Sequence, residues 1–177
     1  GKDLSGLVGA LERYSPPPGR MRLIPGVKDT LVVDDTYNAS PAATTAALET
    51  LTLIAPEGRR IAAIGDMLEL GRHSVEEHRK IGEKAAAACD LLFTVGFRAR
   101  DIAQGALDAG MPDINILQFE DSQKAGKEIE LMLKAGDCVL VKGSQSMRME
   151  RVVEELMADP NRAEELLVRQ DAEWKKR

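Results

Sequence analysis

One segment of this 177-residue chain reads Leu31-Val32-Val33-Asp34-Asp35-Thr36-Tyr37-Asn38-Ala39-Ser40-Pro41. Its apolar start predicts a β-strand at about residues 30–34, and the polar run that follows predicts a loop. Ser40 is a favoured N-cap residue, and Pro41 at the first helical position gives up no hydrogen bond, so a helix is expected over about 41–54. The segment therefore predicts a strand, a polar loop and a helix in direct succession.

The same alternation continues to the end of the domain. An extended piece precedes the segment, and further apolar runs of strand length follow it, separated by stretches of helix length. The apolar runs cover 61–64, 91–95, 114–117 and 138–141, and the helical stretches cover about 74–88, 98–109, 121–134 and 146–157. Continuous rather than alternating hydrophobicity is typical of strands that are covered on both faces. We therefore predict an α/β fold, a doubly wound, mostly parallel Rossmann-like sheet with helices on both faces.

A proline-rich run, Ser15-Pro16-Pro17-Pro18-Gly19, ends any helix before it, because proline lacks a backbone donor and clashes with the preceding turn. We expect a domain boundary there, with residues 19–158 forming the α/β domain. Residues 1–18 would be the tail of a preceding domain and a linker, with one apolar helical face. That face is made of Leu4, Leu7, Val8 and Leu11. Because the chain starts with Gly1-Lys2-Asp3, we expect it to be a piece of a longer protein.

Residues 159–177 form a C-terminal helical extension in this interpretation. A helix is predicted from Asn161 to about Lys175, with Leu167 and Trp174 on one stripe because they are seven residues apart. Two roles stay open for it. The helix either packs on its own domain or docks on a neighbouring domain or subunit.

Composition argues against several classes of partner. The 24 lysines and arginines against 29 aspartates and glutamates leave a net charge of −5, and aromatic residues make up 3%. Such a chain repels phosphate on average and lacks a base-stacking surface, so we expect neither nucleic-acid nor membrane binding. The two cysteines, Cys89 and Cys138, lie in apolar runs and are expected to be buried, reduced thiols. They share no metal-binding spacing with His73 or His78, so no metal site is predicted.

Ligands of open α/β sheets bind beyond the carboxyl ends of the strands. There, Asp35 and Asn38 have the carboxylate and amide that suit the hydroxyls of a ribose, and the dense polar run around them favours this over the alternative of capping the next helix or forming an Asx-turn. Lys142 and Ser144 precede a helix and suit an anion or a carboxylate, with a plain strand-to-helix turn as the alternative. Arg20 lies in the linker, where it is either a ligand contact or a solvated charge.

Two nucleotide motifs are absent from the sequence. No G-x-x-x-x-G-K-[ST] occurs, and no G-x-G-x-x-G follows the first strand. The chain by itself therefore has no P-loop with which to act as an ATPase.

Five motifs occur in the order in which they stand in a known family. They are Gly19-Arg20-Met21, Val33-Asp34-Asp35-Thr36-Tyr37-Asn38-Ala39-Ser40-Pro41, Ile64-Gly65-Asp66-Met67-Leu68-Glu69-Leu70-Gly71, His78-Arg79-Lys80-Ile81-Gly82 and Val141-Lys142-Gly143-Ser144. Through them residues 1–157 resemble the C-terminal domain of the Mur ligases, in particular the UDP-N-acetylmuramoyl-tripeptide–D-alanyl-D-alanine ligases (MurF). The first 18 residues resemble the tail of the central domain.

The resemblance implies an ATP-dependent, cytoplasmic peptide ligase of peptidoglycan synthesis, which serves cell wall biogenesis, cell shape and division. The terminal carboxylate of UDP-N-acetylmuramoyl-tripeptide is phosphorylated to an acyl phosphate, which the amino group of D-alanyl-D-alanine attacks. In such ligases the N-terminal domain holds the UDP-sugar, and the central domain carries the P-loop, the Mg²⁺ sites and most catalytic groups. The C-terminal domain closes over ATP and brings the amino substrate. This chain alone is therefore expected to be inactive.

The resemblance also assigns site residues. Arg20 would contact the ATP phosphates, and Asp35, Tyr37 and Asn38 would lie around the ribose and adenine. The substrate cleft would include Lys142, Ser144 and His78, with Lys142 and Ser144 near the dipeptide carboxylate, and no catalytic residue is assigned to this chain. Two positions depart from the family pattern, because Gln145 replaces an arginine and Ser40 replaces an asparagine.

Two other families are alternatives to this resemblance. A receiver-like signalling domain has an acidic pair after its first strand, but it needs an aspartate where this chain has Thr94-Val95-Gly96 and a proline after Lys142. The C-terminal domain of folylpolyglutamate synthase is a nearer relative. The runs Asp35-Thr36-Tyr37-Asn38 and Gly65–Gly71 argue against it.

Overall fold

The computed structural model describes residues 15–54 and 57–176. The apolar helical face predicted within residues 1–14 lies outside them. Six strands form one sheet: β1 (Arg22–Gly26), β2 (Thr30–Asp35), β3 (Arg60–Gly65), β4 (Leu91–Val95), β5 (Ile116–Phe119) and β6 (Cys138–Lys142). Their order is β1-β2-β6-β3-β4-β5, and every neighbouring pair is parallel except β1 and β2. The predicted mostly parallel α/β sheet is confirmed.

Four helices connect the strands, a fifth follows β6, and together they cover the sheet. They are α1 (Pro41–Leu53), α2 (Ser74–Ala88), α3 (Arg100–Asp108), α4 (Ser122–Met132) and α5 (Glu150–Leu156). Helix α1 begins as predicted, since the Ser40 side chain accepts a hydrogen bond from the Ala43 amide over 3.3 Å. Helix α5 begins later than predicted, because Gln145–Met147 form a 3-10 turn and Arg148 has a left-handed φ of 54°.

Two apolar clusters lie on opposite faces of the sheet. Val33, Ala62 and Leu140 contribute to the first, against α1, α2 and α3, while their strand neighbours Val32 and Val139 contribute to the second, against α4 and α5. Successive side chains of a strand point to opposite faces, so both sets are buried at once. This is why the strands are apolar without alternation.

The last strand enters the middle of the sheet. From β5 the chain returns through α4 to place β6 between β2 and β3, so the segments that follow these three strands meet at one edge. None of the described helices is long and apolar enough to cross a bilayer.

The C-terminal extension differs from the predicted single helix. It contains two short helices, α6 (Ala163–Leu166) and α7 (Ala172–Lys175). Leu167 is extended, with φ −107° and ψ 157°, so it does not share a helical stripe with Trp174. Ala163, Leu166 and Leu167 are buried in the second apolar cluster, which shows that this part of the extension packs on its own domain.

Candidate functional site

The parallel pairing of β2 and β6 brings an acid and a base side by side. Asp35 and Lys142 are register partners at the carboxyl ends of the two strands. The Lys142 Nζ donates to Asp35 Oδ2 over 2.6 Å and to the Asn38 carbonyl over 2.9 Å. Lys142 is only 2% exposed. Lys142 therefore anchors the loop after β2 to the end of β6.

The linker before β1 folds onto the same loop. The Gly19 carbonyl accepts a hydrogen bond from the Tyr37 amide over 3.0 Å, and the Met21 amide donates to Asp35 Oδ1 over 3.2 Å. Gly19 has a φ of +71°, and a Cβ there would lie 2.9 Å from the Tyr37 nitrogen, so the approach requires glycine. These contacts place Arg20, whose guanidinium carbon is 4.2 Å from the centroid of the Tyr37 ring.

Asp34 is a buried carboxylate that supports this arrangement. It accepts hydrogen bonds from the Gly19 amide over 2.9 Å and from the Thr36 hydroxyl over 2.6 Å. Burial raises the pKa of Asp34 above its usual value, and the hydrogen bonds from Thr36 and Gly19 only partly offset that effect. Asp34 is a supporting residue that the sequence pattern did not single out. The available signal was a carboxylate at the last buried position of an apolar strand.

A cavity of about 460 Å³ opens between the linker, the loop after β2 and the first turns of α1. It is lined by all four residues that the resemblance places around ATP, together with Lys142. Those four residues are Arg20, Asp35, Tyr37 and Asn38. The wall that α1 supplies is made of small side chains, Ala43, Ala46, Ala47 and Thr50, which sequence reasoning missed. A run of small residues in the first turns of the helix was the available signal.

Ser144 lies in a neighbouring depression of about 310 Å³, which shares Asn38 and Ala39 with the cavity. The Ser144 Oγ accepts a hydrogen bond from the Leu68 amide over 2.9 Å, and its amide donates to the Asp66 carbonyl over 3.0 Å. These bonds join the loops that follow β3 and β6. The structure thus places Ser144 beside the cavity rather than in it.

His78 does not reach either depression. It is 0% exposed within α2, where Nε2 accepts a hydrogen bond from the Met67 amide over 3.0 Å and Nδ1 lies 2.7 Å from the Ser74 carbonyl. With the proton on Nδ1, both contacts are satisfied. His78 holds the loop after β3 against α2, which is the packing role that a histidine within a helix most often has; the place in the substrate cleft comes from the resemblance alone.

Cys89 and Cys138 are free and buried, as expected. Burial raises the pKa of the Cys89 thiol to about 12 and that of Cys138 to about 11, so both are inert at neutral pH. In residues 15–54 and 57–176, no group of three or more His, Cys, Asp or Glu side chains is placed to hold a metal ion.

Comparison with known proteins identifies relatives of the whole domain. A model of the family described as Mur ligase, glutamate ligase domain, matches residues 19–145, a range that contains every residue lining the 460 Å³ cavity. The UDP-N-acetylmuramoyl-tripeptide–D-alanyl-D-alanine ligase of Escherichia coli (strain K12) is 32% identical over 159 residues, which make up 88% of this chain and 33% of that protein.

Solved structures agree with this match. The MurF ligase from Thermotoga maritima in complex with ADP superimposes with a TM-score of 0.69 at 32% identity, covering 84% of this chain and 32% of that one. MurF from Acinetobacter baumannii gives a TM-score of 0.72 at 28% identity, covering 89% and 34%. The chain spans about a third of the length of the curated relatives it matches.

Proposed function

Since this chain belongs to the Mur ligase family, we propose that it is the C-terminal domain of a ligase of the MurF type. Such a ligase joins D-alanyl-D-alanine to UDP-N-acetylmuramoyl-tripeptide with the consumption of ATP, in the cytoplasm, during peptidoglycan synthesis. In this proposal an N-terminal domain of the same protein binds the UDP-sugar, and a central domain carries the P-loop and the Mg²⁺ sites. This chain supplies a wall of the nucleotide site and a loop of the substrate cleft.

The convergence of Arg20, Asp35, Tyr37 and Asn38 on one cavity carries the proposal. The volume, about 460 Å³, is in the range of small-molecule sites. Asp35 keeps acceptor capacity beyond its bonds to Met21 and Lys142, which suits a ribose hydroxyl. The exposed Tyr37 ring and the small side chains of α1 leave room for a flat base, and the ADP complex of the Thermotoga maritima relative supports a nucleotide as occupant.

The chain's own residues divide into holding and contacting groups. Lys142 is buried and paired with Asp35, so its work is to keep Asp35 and the Asn38 carbonyl in place. Arg20 is exposed on a linker and carries a full positive charge at the mouth of the cavity. ATP supplies the phosphoryl group that activates the acceptor carboxylate. A guanidinium at this position stabilises the charge on that group when the domains close, because closure excludes water and strengthens the interaction.

The test uses the full-length ligase that carries this chain, with ATP and Mg²⁺. ADP release is expected only when UDP-N-acetylmuramoyl-tripeptide and D-alanyl-D-alanine are both present, with the ligated product identified by mass spectrometry. ADP release that requires glutamate instead of the dipeptide contradicts the MurF assignment and leaves family membership intact. This chain alone, incubated with the same substrates, is expected to release no ADP.

A further inference from the structure

The C-terminal extension turns back onto the rim of the 460 Å³ cavity. We call residues 168–174 the tail brace. Val168 Cγ1 lies 3.0 Å from the point that a Cβ on Gly19 would occupy. Arg169 donates to the main-chain carbonyls of Thr36 and Tyr37, the second over 3.2 Å. The tail brace therefore touches both the linker that carries Arg20 and the loop after β2.

A buried carboxylate fixes Arg169 in this position. Glu150, the first residue of α5, is 0% exposed. Its Oε2 accepts hydrogen bonds from Arg169 over 2.7 and 3.0 Å, and its Oε1 accepts one from Arg148. A guanidinium is a planar fork with five donors, so one edge can bind the carboxylate while the other serves the two carbonyls. Glu150 thereby couples α5 to the loop after β2 through Arg169.

The other end of the tail brace is also held. The Arg148 side chain donates to the Trp174 carbonyl over 2.8 Å. The guanidinium carbons of Arg148 and Arg169 lie 5.3 and 6.0 Å from the centroid of the Trp174 ring. The indole therefore covers both cations, which lowers their contact with water and strengthens their bonds to Glu150.

Tyr37 connects the tail brace to the linker. Its amide donates a hydrogen bond to the Gly19 carbonyl, its carbonyl accepts one from Arg169, and its ring lies under the guanidinium of Arg20. The brace is not what attaches the extension to the domain, because Ala163, Leu166 and Leu167 already do so from within the core. Its polar contacts instead converge on the loop that forms the cavity.

We propose that Arg169, held by Glu150, is a positioning residue for nucleotide binding, which keeps Tyr37 beneath Arg20 and thereby shapes the cavity. This inference rests on the proposed function of the cavity. It extends the nucleotide site to a segment beyond the residues that the family model matches, 19–145.

The experiment measures steady-state kinetics of the full-length ligase with Arg169→Ala. The KM for ATP is expected to rise about tenfold, while kcat changes less than about threefold and the KM for UDP-N-acetylmuramoyl-tripeptide is unchanged. Arg169→Lys, which keeps a charge near Glu150 but loses the fork, is expected to lie between wild type and Arg169→Ala. Arg162→Ala is the matched control, since this arginine lies in the same extension and forms an exposed pair with Glu165. It should leave all three constants unchanged.

A truncation after Leu167 provides a second variant. It removes the tail brace but leaves the buried residues of α6 in the core and leaves Glu150 paired with Arg148. Hydrogen exchange measured by mass spectrometry on peptides covering 33–41 is expected to speed up in this variant and in Arg169→Ala, and not in Arg162→Ala.

Three results separate the outcomes. An unchanged KM for ATP in Arg169→Ala overturns the positioning role, even if the melting temperature falls. Unchanged exchange in 33–41 overturns the proposed hold on the loop. A wild-type ligase that binds and uses ATP but not D-alanyl-D-alanine refutes the MurF assignment alone, and the positioning role then stands or falls on the KM for ATP.

Discussion

Arg20, which lines the cavity and is proposed to contact the ATP phosphates, is held in place without being immobilised. It is exposed, and its one described aromatic contact, with Tyr37, is of a kind that contributes about 0.5–1 kcal/mol at exposed sites. The guanidinium can therefore leave the ring for a phosphate at small cost. The surrounding main chain, fixed by Gly19 and Asp34, keeps it at the mouth of the cavity.

Replacing Arg20 separates catalysis from stability. In the full-length ligase, Arg20→Ala is expected to lower kcat/KM for ATP on the order of 100-fold, as loss of a transition-state charge contact does. The free energy of unfolding, from urea titration, should change by less than about 1 kcal/mol. Arg100→Ala is the control, because Arg100 also stacks on an aromatic ring, that of Phe97, and pairs with Glu120, and none of these three residues lines the cavity. Equal kinetics for both variants would remove Arg20 from the site.

Lys142 represents the opposite case, a buried charge that depends on its partner. Lys142→Met leaves Asp35 without its cation and is expected to cost about 3–5 kcal/mol of unfolding free energy in urea denaturation. The double variant with Asp35→Asn should recover part of that loss, since no charge then stays unpaired. Lys80→Met, which removes an exposed lysine paired with Glu76, serves as control and should have little effect. A loss for Lys142→Met as small as that of the control would contradict the buried pair.

At the level of elements, helices α2 and α3 approach each other through glycines. A Cβ on Gly82 would lie 2.0 Å from the Ile102 carbonyl oxygen, and a Cβ on Gly105 would lie 2.1 Å from that of Arg79. Neither atom belongs to a flexible side chain. The two helices can therefore keep this contact only with glycine at both positions.

Gly82→Ala tests this contact against helix propensity. Alanine is favoured over glycine inside a helix by about 1 kcal/mol, yet the steric clash should make the variant less stable by at least about 2 kcal/mol. Gly126→Ala in α4 is the matched control, since its Cβ would meet the Glu155 side chain and the Val152 Cα at 3.1 Å, a much longer distance than the 2.0 Å at Gly82. Thermal unfolding of both variants decides the matter. Greater stability of Gly82→Ala than of Gly126→Ala would rule out the close approach.

The elements that the sequence predicts well are those with strong local signals. Helix α1 has its Ser40 cap and Pro41 at the expected places, and the buried strands follow from unbroken apolar runs. The residues of the C-terminal extension favour helix, so the sequence predicts a single helix there. Its path is set instead by long-range partners, the core contact of Leu167 and the pairing of Arg169 with Glu150, which no local pattern reveals.

Local sequence signals likewise predict part of the candidate site, and long-range packing determines the rest. Position after a strand, together with the family resemblance, places Arg20, Asp35, Tyr37 and Asn38 together. Burial is decided by tertiary packing, so the sequence does not reveal that the His78 side chain, on α2, is fully buried. Likewise, the pairing of Asp35 with Lys142 depends on the strand order of the sheet, which the α/β pattern leaves open.

For the whole molecule, Asp137 links stability to pH. Its carboxylate accepts hydrogen bonds from the Arg59 side chain and from the Arg59 and Lys134 amides, which ties the start of β3 to the turn before β6. Burial by itself would raise the pKa of Asp137, but the Arg59 side chain and the two amides outweigh burial and hold that pKa below its usual value. The stabilisation is present above the pKa of an aspartate in the unfolded chain, about 3.9, and is lost as the pH falls through the pKa of Asp137 in the folded protein.

Asp137→Asn is therefore expected to lower the unfolding free energy at pH 7 and to flatten its decline below about pH 4. Asp108→Asn is the control, since its carboxylate is mostly exposed. Urea titrations from pH 3 to 7 compare wild type with these two variants, and equal slopes for wild type and Asp137→Asn would exclude the linkage.

Asp34 affects stability in the opposite direction. Burial raises the pKa of Asp34 in the folded state, so its contribution to stability is present at low pH and is lost as the pH rises through that pKa.

The position of β6 between β2 and β3 has a consequence for synthesis. The strands that pair with β6 are synthesised more than 70 residues before it, as in the pair Ile61 and Val139. Parallel pairing over such sequence separations forms slowly, because long loops must close first. Until β6 inserts, Lys142 is not beside Asp35, and the loop after β2 lacks its support. A nascent or truncated chain that lacks β6 therefore lacks the finished cavity, so the sheet and the cavity are completed in a single event.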